Sequence, residues 1–238
     1  MVTTPPLNRR PPPVTERGRR SRATIVDAAA TMMYQRGVGS TSLDDVLDAA
    51  GSGKSQLYHY FENKSDLVAA VVERQLEWVM QTQRPAIDHT DTWAGINAWA
   101  EHVLTVHEAP GGPFACPLGT MAAELKNDPA FRPALDAAFR QWEQPLAQGL
   151  TAMKARGELV RNAEPHRLAS MVIAALQGGM LLARLRDDIT SLRDAMGIAL
   201  GELHRWEANP SETLDSTAVQ LAGPGTPARP PRRRRSSR

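Results

Sequence analysis

Between residues 21 and 207, apolar side chains recur at steps of three and four, and no run alternates with period two long enough to make a strand. Such spacing lines one face of successive helices and excludes a sheet protein. Ser21–Arg36 shows it first, with Ile25, Val26, Ala29, Met32 and Met33 on one stripe. Gly37 follows, a residue suited to ending a helix. Ser42 and Asp45 form an S-x-x-D pair, which predicts a helix capped by Ser42 and stopped by Gly51. A short helix starts at Ser52 or Gly53 and runs through Leu57 to Tyr60. Asn63 caps a longer one carrying Leu67, Val68, Val71, Val72, Leu76 and Val79.

The pattern continues beyond Pro85. Helices are expected over Asp91–Val106, Pro117–Lys126, 128–156, Glu164–Arg186 and Thr190–Trp206. Asp128-Pro129 reads as a capping residue followed by proline at the first helical position. Pro145 is interior and is expected to kink or divide its helix. The fold class is therefore all-α, about nine helices. The charge-free stretch Leu168–Ala183 is 16 residues long and includes Ser170, Gln177, Gly178 and Gly179. A membrane span needs about 20 mostly apolar residues, so this reads as a buried helix and no membrane partner is expected.

Charge is unevenly placed. The chain carries a net +2, but residues 1–22 hold +5 and 211–238 hold +4, which leaves −7 for 23–210. An acidic body with two basic ends points to a polyanionic partner. Proline is crowded into the same ends, which are expected to be disordered: a basic arm over 1–20 and a basic tail over 208–238 that includes Arg232–Arg235. The opening MVTTPPLNRR has no apolar core, so no secretory signal is expected, and the single cysteine, Cys116, fits a reducing cytoplasm.

Three helices in the first 65 or so residues, with a tight turn at Gly51 between the second and third, describe a helix-turn-helix. The third helix carries suitable chemistry for a major groove. Lys54 offers charge to phosphate or guanine, Gln56 can bond an adenine edge, and Ser55 can bond a base edge or phosphate. Tyr58, His59, Tyr60 and Lys64 can reach the DNA backbone. The run from Arg17 to Arg22 suits backbone or minor-groove contacts. Gly51-Ser52-Gly53-Lys54-Ser55 imitates the end of a phosphate-binding P-loop, but the first glycine of that motif is replaced by Asp48 and a helix precedes it instead of a strand.

Residues 22–68 resemble the N-terminal domain of the TetR family of bacterial transcriptional regulators. The resemblance rests on Gly37, Thr41-Ser42, Ala50-Gly51, Leu57-Tyr58-His59-Tyr60-Phe61 and Asn63-Lys64-Ser65-Asp66-Leu67, in order and at the family's spacing. At the turn the chain departs from the common pattern: Ser52 replaces an apolar plug, Gly53 a polar cap, Ser55 a glycine and Leu47 a small alanine. The resemblance implies a DNA-binding set of Arg22, Thr41, Ser42, Lys54, Ser55, Gln56, Tyr58, His59, Tyr60 and Lys64. It also implies a head over 21–67, a ligand-binding and dimerisation domain over 68–207, a homodimer, an operator in double-stranded DNA and a small-molecule effector.

Phe114-Ala115-Cys116-Pro117-Leu118-Gly119-Thr120, with Leu176-Gln177-Gly178-Gly179-Met180 later, resembles a family subgroup with a CPLG-type motif in its C-terminal domain. The subgroup implies an apolar cavity, for which the candidate lining residues are Trp99, His102, Val103, Cys116, Met121, Phe139, Trp142, Gln177 and Met180. The last two helices are expected to form the dimer surface, with Ala174, Ala175, Gly178 and Gly179 allowing close approach and Leu203 and Trp206 anchoring the far end. Cys116 precedes a helix start, where the dipole lowers a thiol's pKa, and so offers an electrophile or redox switch. No cofactor, metal site or catalytic pairing is expected: His102 and His107 stand outside any ligand cluster. The leading expectation is a repressor released by an apolar or amphiphilic ligand. An activator, a non-specific nucleoid-type DNA binder and a small-molecule enzyme remain as other readings.

Overall fold

The computed structural model describes residues 13–109 and 115–208. Within them the chain forms nine α-helices and one short 3-10 turn, Ala86–His89, and no strand. The helices are α1 Glu16–Arg36, α2 Leu43–Ala50, α3 Lys54–Tyr60, α4 Lys64–Gln83, α5 Trp93–Glu108, α6 Pro117–Leu125, α7 Arg132–Ala155, α8 Pro165–Arg186 and α9 Thr190–His204.

Local capping sets most of the boundaries. Ser42 Oγ accepts the Asp45 N–H at 3.1 Å while Asp45 Oδ2 accepts the Ser42 N–H at 3.1 Å, a reciprocal box that starts α2. These bonds from Ser42 hold the Asp45 carboxyl below its ordinary pKa. Asn63 Oδ1 accepts from Asp66 N at 3.0 Å to start α4. Gly51 ends α2 at φ +59°, in the left-handed region that glycine enters freely. Gly53, with no side chain to cap, opens α3.

Two expectations need correction. α1 begins at Glu16, not Ser21, so residues 16–20 of the expected disordered arm are helical; Thr15 Oγ1 caps the helix by accepting the Gly18 N–H at 3.1 Å, and Glu16 pairs with Arg19. Residues 1–12 and 209–238, with the rest of both expected tails, lie outside the described residues. α7 begins at Arg132, because Asp128 spends its cap on a turn in which Oδ1 accepts from Ala130 N at 2.9 Å. Of the two outcomes expected at Pro145, division does not occur: α7 runs unbroken through it, with Trp142, Leu146, Leu150 and Met153 all fully buried on either side.

α1, α2 and α3 form a head that packs on α4 through α1. The expected domain boundary at 67–68 falls inside α4, whose Leu67, Val68, Val71, Leu76 and Val79 belong to a core continuous from Ile25 in α1 to Leu203 in α9. α8 lies between α7 and α9. It is long and apolar enough by composition to cross a membrane, but Leu168, Val172, Ile173, Leu176, Met180 and Ala183 are buried within the protein.

Glycine lets the segment between α4 and α5 lie close to its neighbours. A Cβ on Gly95 would overlap the His89 carbonyl oxygen, and one on Gly149 of α7 would overlap the Thr90 carbonyl. Alanine normally stabilises a helix over glycine by about 1 kcal/mol. Here Gly95→Ala is expected to destabilise by about 1–3 kcal/mol, because backbone must shift to admit the methyl group. A melting temperature raised by this substitution would show the close approach to be wrong.

Candidate nucleic-acid interface and effector cavity

The head presents α3 to solvent. Leu57 is fully buried and fastens it to the core, so the faces carrying Ser55, Gln56, Tyr58 and His59 turn outward. Tyr58 is 49% exposed. Lys54 pairs with Asp44 of α2 at 3.0 Å, and this bond raises the lysine's pKa. Gln56 Nε2 donates to Ser21 Oγ, tying α3 to α1. The Arg22 guanidinium lies 5.1 Å over the Phe61 ring. Arg17, Arg19 and Arg20 stand on the first turn and a half of α1.

Other expected contacts are turned to structural use. Thr41 is buried, and its hydroxyl donates to Gly37 O at 2.8 Å, which withdraws it from the surface. Ser42 is exposed but is occupied by its cap with Asp45. Tyr60 is half-buried against the core. Lys64 Nζ donates to Val38 O at 2.7 Å.

That last bond belongs to a clasp on the turn between α1 and α2. From the opposite side Glu124, near the end of α6, accepts from Val38 N at 2.8 Å and from Gly39 N at 2.6 Å. Gly37 at φ +87° turns the chain so that both amides face this carboxylate. The α1–α2 turn is thus gripped on its N–H side by α6 and on its C=O side by α4.

The other end of α6 forms the wall of a cavity. Its lining comes from α4 (Trp78, Val79, Thr82, Gln83), α5 (His102, Val103, Val106, His107), the α6 entry (Ala115, Cys116, Pro117), Trp142 of α7 and Met180 of α8. As the side chains stand, it holds about 30 Å³, room for a water and too little for an organic molecule. Gln83 organises its floor: Oε1 accepts from the Trp99 and Trp142 indoles, both at 3.0 Å. His102 Nε2 is bonded to Thr82 O at 2.8 Å. His107 is buried, its Nδ1 has no hydrogen-bond partner, and burial pushes its pKa below the ordinary histidine value.

Cys116 caps α6, its Sγ accepting the Gly119 N–H at 3.4 Å. Burial nevertheless pushes the thiol's pKa up; the Gly119 N–H, the Gln177 amide and the Leu118 N–H oppose the shift and lose. The shift therefore runs opposite to the lowering expected from the helix dipole, and burial makes the thiol a poorer nucleophile. The Gln177 amide approaches the thiol without reaching good hydrogen-bond geometry, which leaves its Nε2 without a bonded partner.

Residues 25–71 match the model of bacterial regulatory proteins of the tetR family, and residues 92–197 match the C-terminal domain of LmrA/YxaF-like transcriptional regulators. The chain belongs to the TetR family of bacterial transcriptional regulators.

TetR-family relatives agree along most of the chain. An uncharacterized HTH-type transcriptional regulator in the lacX 3' region of Lactococcus lactis is 27% identical over 177 residues, covering 73% of this chain and 88% of its own. The HTH-type transcriptional repressor ComR of Escherichia coli is 27% identical over 190 residues, covering 78% and 88%. A TetR transcriptional regulator from Chloroflexus aurantiacus shares the fold at a TM-score of 0.68, with 24% identity and coverage of 81% and 98%.

Of the expected TetR-family cavity residues, His102, Val103, Cys116, Trp142 and Met180 come together. Trp99 and Met121 are buried in the core beside it, and Phe139 and Gln177 are half-buried outside its lining. The α4 contribution was missed. Its signal was a polar residue in an apolar register: Leu76, Val79 and Gln83 share one stripe, and a glutamine there asks for a buried partner. His107, set aside above as a metal ligand, belongs to the cavity. Among the described residues no group of three or more His, Cys, Asp or Glu stands together as a metal site.

Proposed function

We propose that this regulator is a homodimeric repressor that holds an operator with two α3 helices and is released by a small apolar or amphiphilic effector. The observation that carries the reading is α6. Cys116 and Pro117 at its start wall the cavity, and Glu124 near its end grips the turn that orients the head. A ligand seated against Cys116 and Pro117 pushes on that wall, and a displacement there reaches the head through one short helix. To move the population from mostly bound to mostly released, the ligand needs a preference of about 5.5 kcal/mol for the released conformer.

The dimer is supported by an apolar face left open on α8 and α9. Leu181, Leu182, Leu185 and Ile198 are exposed there, and a Cβ on Gly178, Gly197 or Gly201 would meet nothing within 4 Å. This differs in detail from the expected surface. Gly179 instead lets Leu192 of α9 approach, and Leu203 is core.

The first test is a gel shift at about 150 mM salt, with excess random competitor, on DNA from upstream of the protein's own reading frame and on a random-sequence pool. A discrete competitor-resistant complex is expected. Failure of every sequence to outlast bulk DNA would favour non-specific binding and overturn the reading. With the operator in hand, Lys54→Ala is expected to weaken binding about tenfold and to lower the salt slope by about one, as loss of a phosphate contact does. Tyr58→Phe is expected to weaken it a few-fold, with the helix content of both variants unchanged. Unaltered affinity in both would remove α3 from the interface.

A further inference from the structure

We propose that the effector is an uncharged molecule with an apolar ring and a hydroxyl or carbonyl oxygen, and that His107 Nδ1 makes the hydrogen bond to that oxygen. The inference rests on the effector reading above and adds the ligand's chemistry to it.

Among the described residues no Lys, Arg, Asp or Glu lines the cavity. An anionic ligand entering it would leave water without finding a cation, and a cationic one would find no carboxylate, and neither desolvation is compensated. The walls are aromatic and aliphatic: Trp78, Trp142, Val103 and Met180 offer flat and pliable apolar contact. His107 lines the same space, is only 7% exposed, and keeps Nδ1 unbonded. Buried polar groups in native proteins nearly always have a partner, so an orphan in a cavity wall marks a place for one. The imidazole is neutral in this setting, because burial holds its pKa down. It therefore offers a hydrogen bond and not a counter-ion. Three other polar atoms of the lining residues are already engaged: Gln83 Oε1 with two indoles, His102 Nε2 with Thr82 O, and Thr82 Oγ1 with Val79 O.

The present volume is too small for such a ring, and its neighbour supplies the rest. An open cleft between α1 and α4 shares Trp78 and Pro117 with the cavity; its two charged lining residues, Asp27 and Arg74, are paired with each other, so neither is a free counter-ion. Trp78 is 38% exposed, so its indole is the partition that can swing to join the two spaces.

The test uses four naphthalenes substituted at one ring position, namely naphthol, acetonaphthone, naphthoate and methylnaphthalene. Each is titrated into the full chain at about pH 7, where only naphthoate is charged. Binding is read by calorimetry and by tryptophan fluorescence. Naphthol or acetonaphthone is expected to bind at least about tenfold more tightly than naphthoate and more tightly than methylnaphthalene. In His107→Leu the oxygenated ligand is expected to lose about tenfold while methylnaphthalene holds its affinity. His107→Phe, which keeps the ring volume, guards against a packing defect and is expected to behave the same way. Naphthoate binding as well as its neutral analogues overturns the proposal. So does an equal loss of all ligands in both variants, or no binding of any of the four. None of these outcomes bears on operator binding, which the gel shift measures without a ligand.

Discussion

Gln83→Leu is expected to lower the free energy of unfolding by about 2–6 kcal/mol, a large part of the 5–15 kcal/mol that holds a typical domain together. The leucine matches the glutamine in size, so no cavity explains the loss. What disappears is the single oxygen that accepts both the Trp99 and the Trp142 indole N–H. Both tryptophans are fully buried, and each orphaned donor costs about 1–3 kcal/mol. Urea denaturation measures the change. Trp142→Phe made in the Gln83→Leu background is expected to recover part of it, because one of the two unsatisfied donors is then gone. A loss below about 1 kcal/mol would mean that the indoles find other acceptors and that Gln83 does not organise the cavity floor.

Glu124→Ala is expected to uncouple the two halves of the molecule. The carboxylate makes two bonds to main-chain amides of the α1–α2 turn, and no other side chain of α6 is bonded to the head among the described residues. Its loss is expected to cost about 1–2 kcal/mol of stability, since the carboxylate is partly solvated. The larger effect falls on regulation. The ratio of operator affinities without and with an effector is expected to shrink at least about tenfold, as the cavity wall no longer pulls on the turn. Anisotropy of a labelled operator, titrated with and without an effector, reads both affinities. An unchanged ratio would route the coupling elsewhere and remove α6 from it.

What was legible in the sequence is what neighbours decide. Ser42 with Asp45 and Asn63 with Asp66 act across three residues, and the helices they start were placed correctly. The start of α1 was missed although Thr15 and Glu16 are a proper cap and first turn. Apolar spacing leaves no mark there, because the first turns of α1 carry Arg17, Arg19 and Arg20. Long-range partners were out of reach. Glu124 meets Val38 across 86 residues and Gln83 meets Trp142 across 59, and neither pair leaves a mark in either local pattern. The Cys116 thiol shifts opposite to the expected direction for a related reason: its position at a helix start was visible, but the burial that raises its pKa was not.

Glu124 and Lys64 take hold of the polypeptide backbone at Val38 and Gly39, not of any side chain there. In the proposed mechanism the joint between effector and operator sites is therefore blind to the side chains that α3 presents. In that mechanism Ser55, Tyr58 and His59 can be rewritten for another operator while the response to the same ligand is retained, whereas Gln56 also ties α3 to α1. In a lineage of duplicated genes, or on a bench, address and trigger can change hands separately.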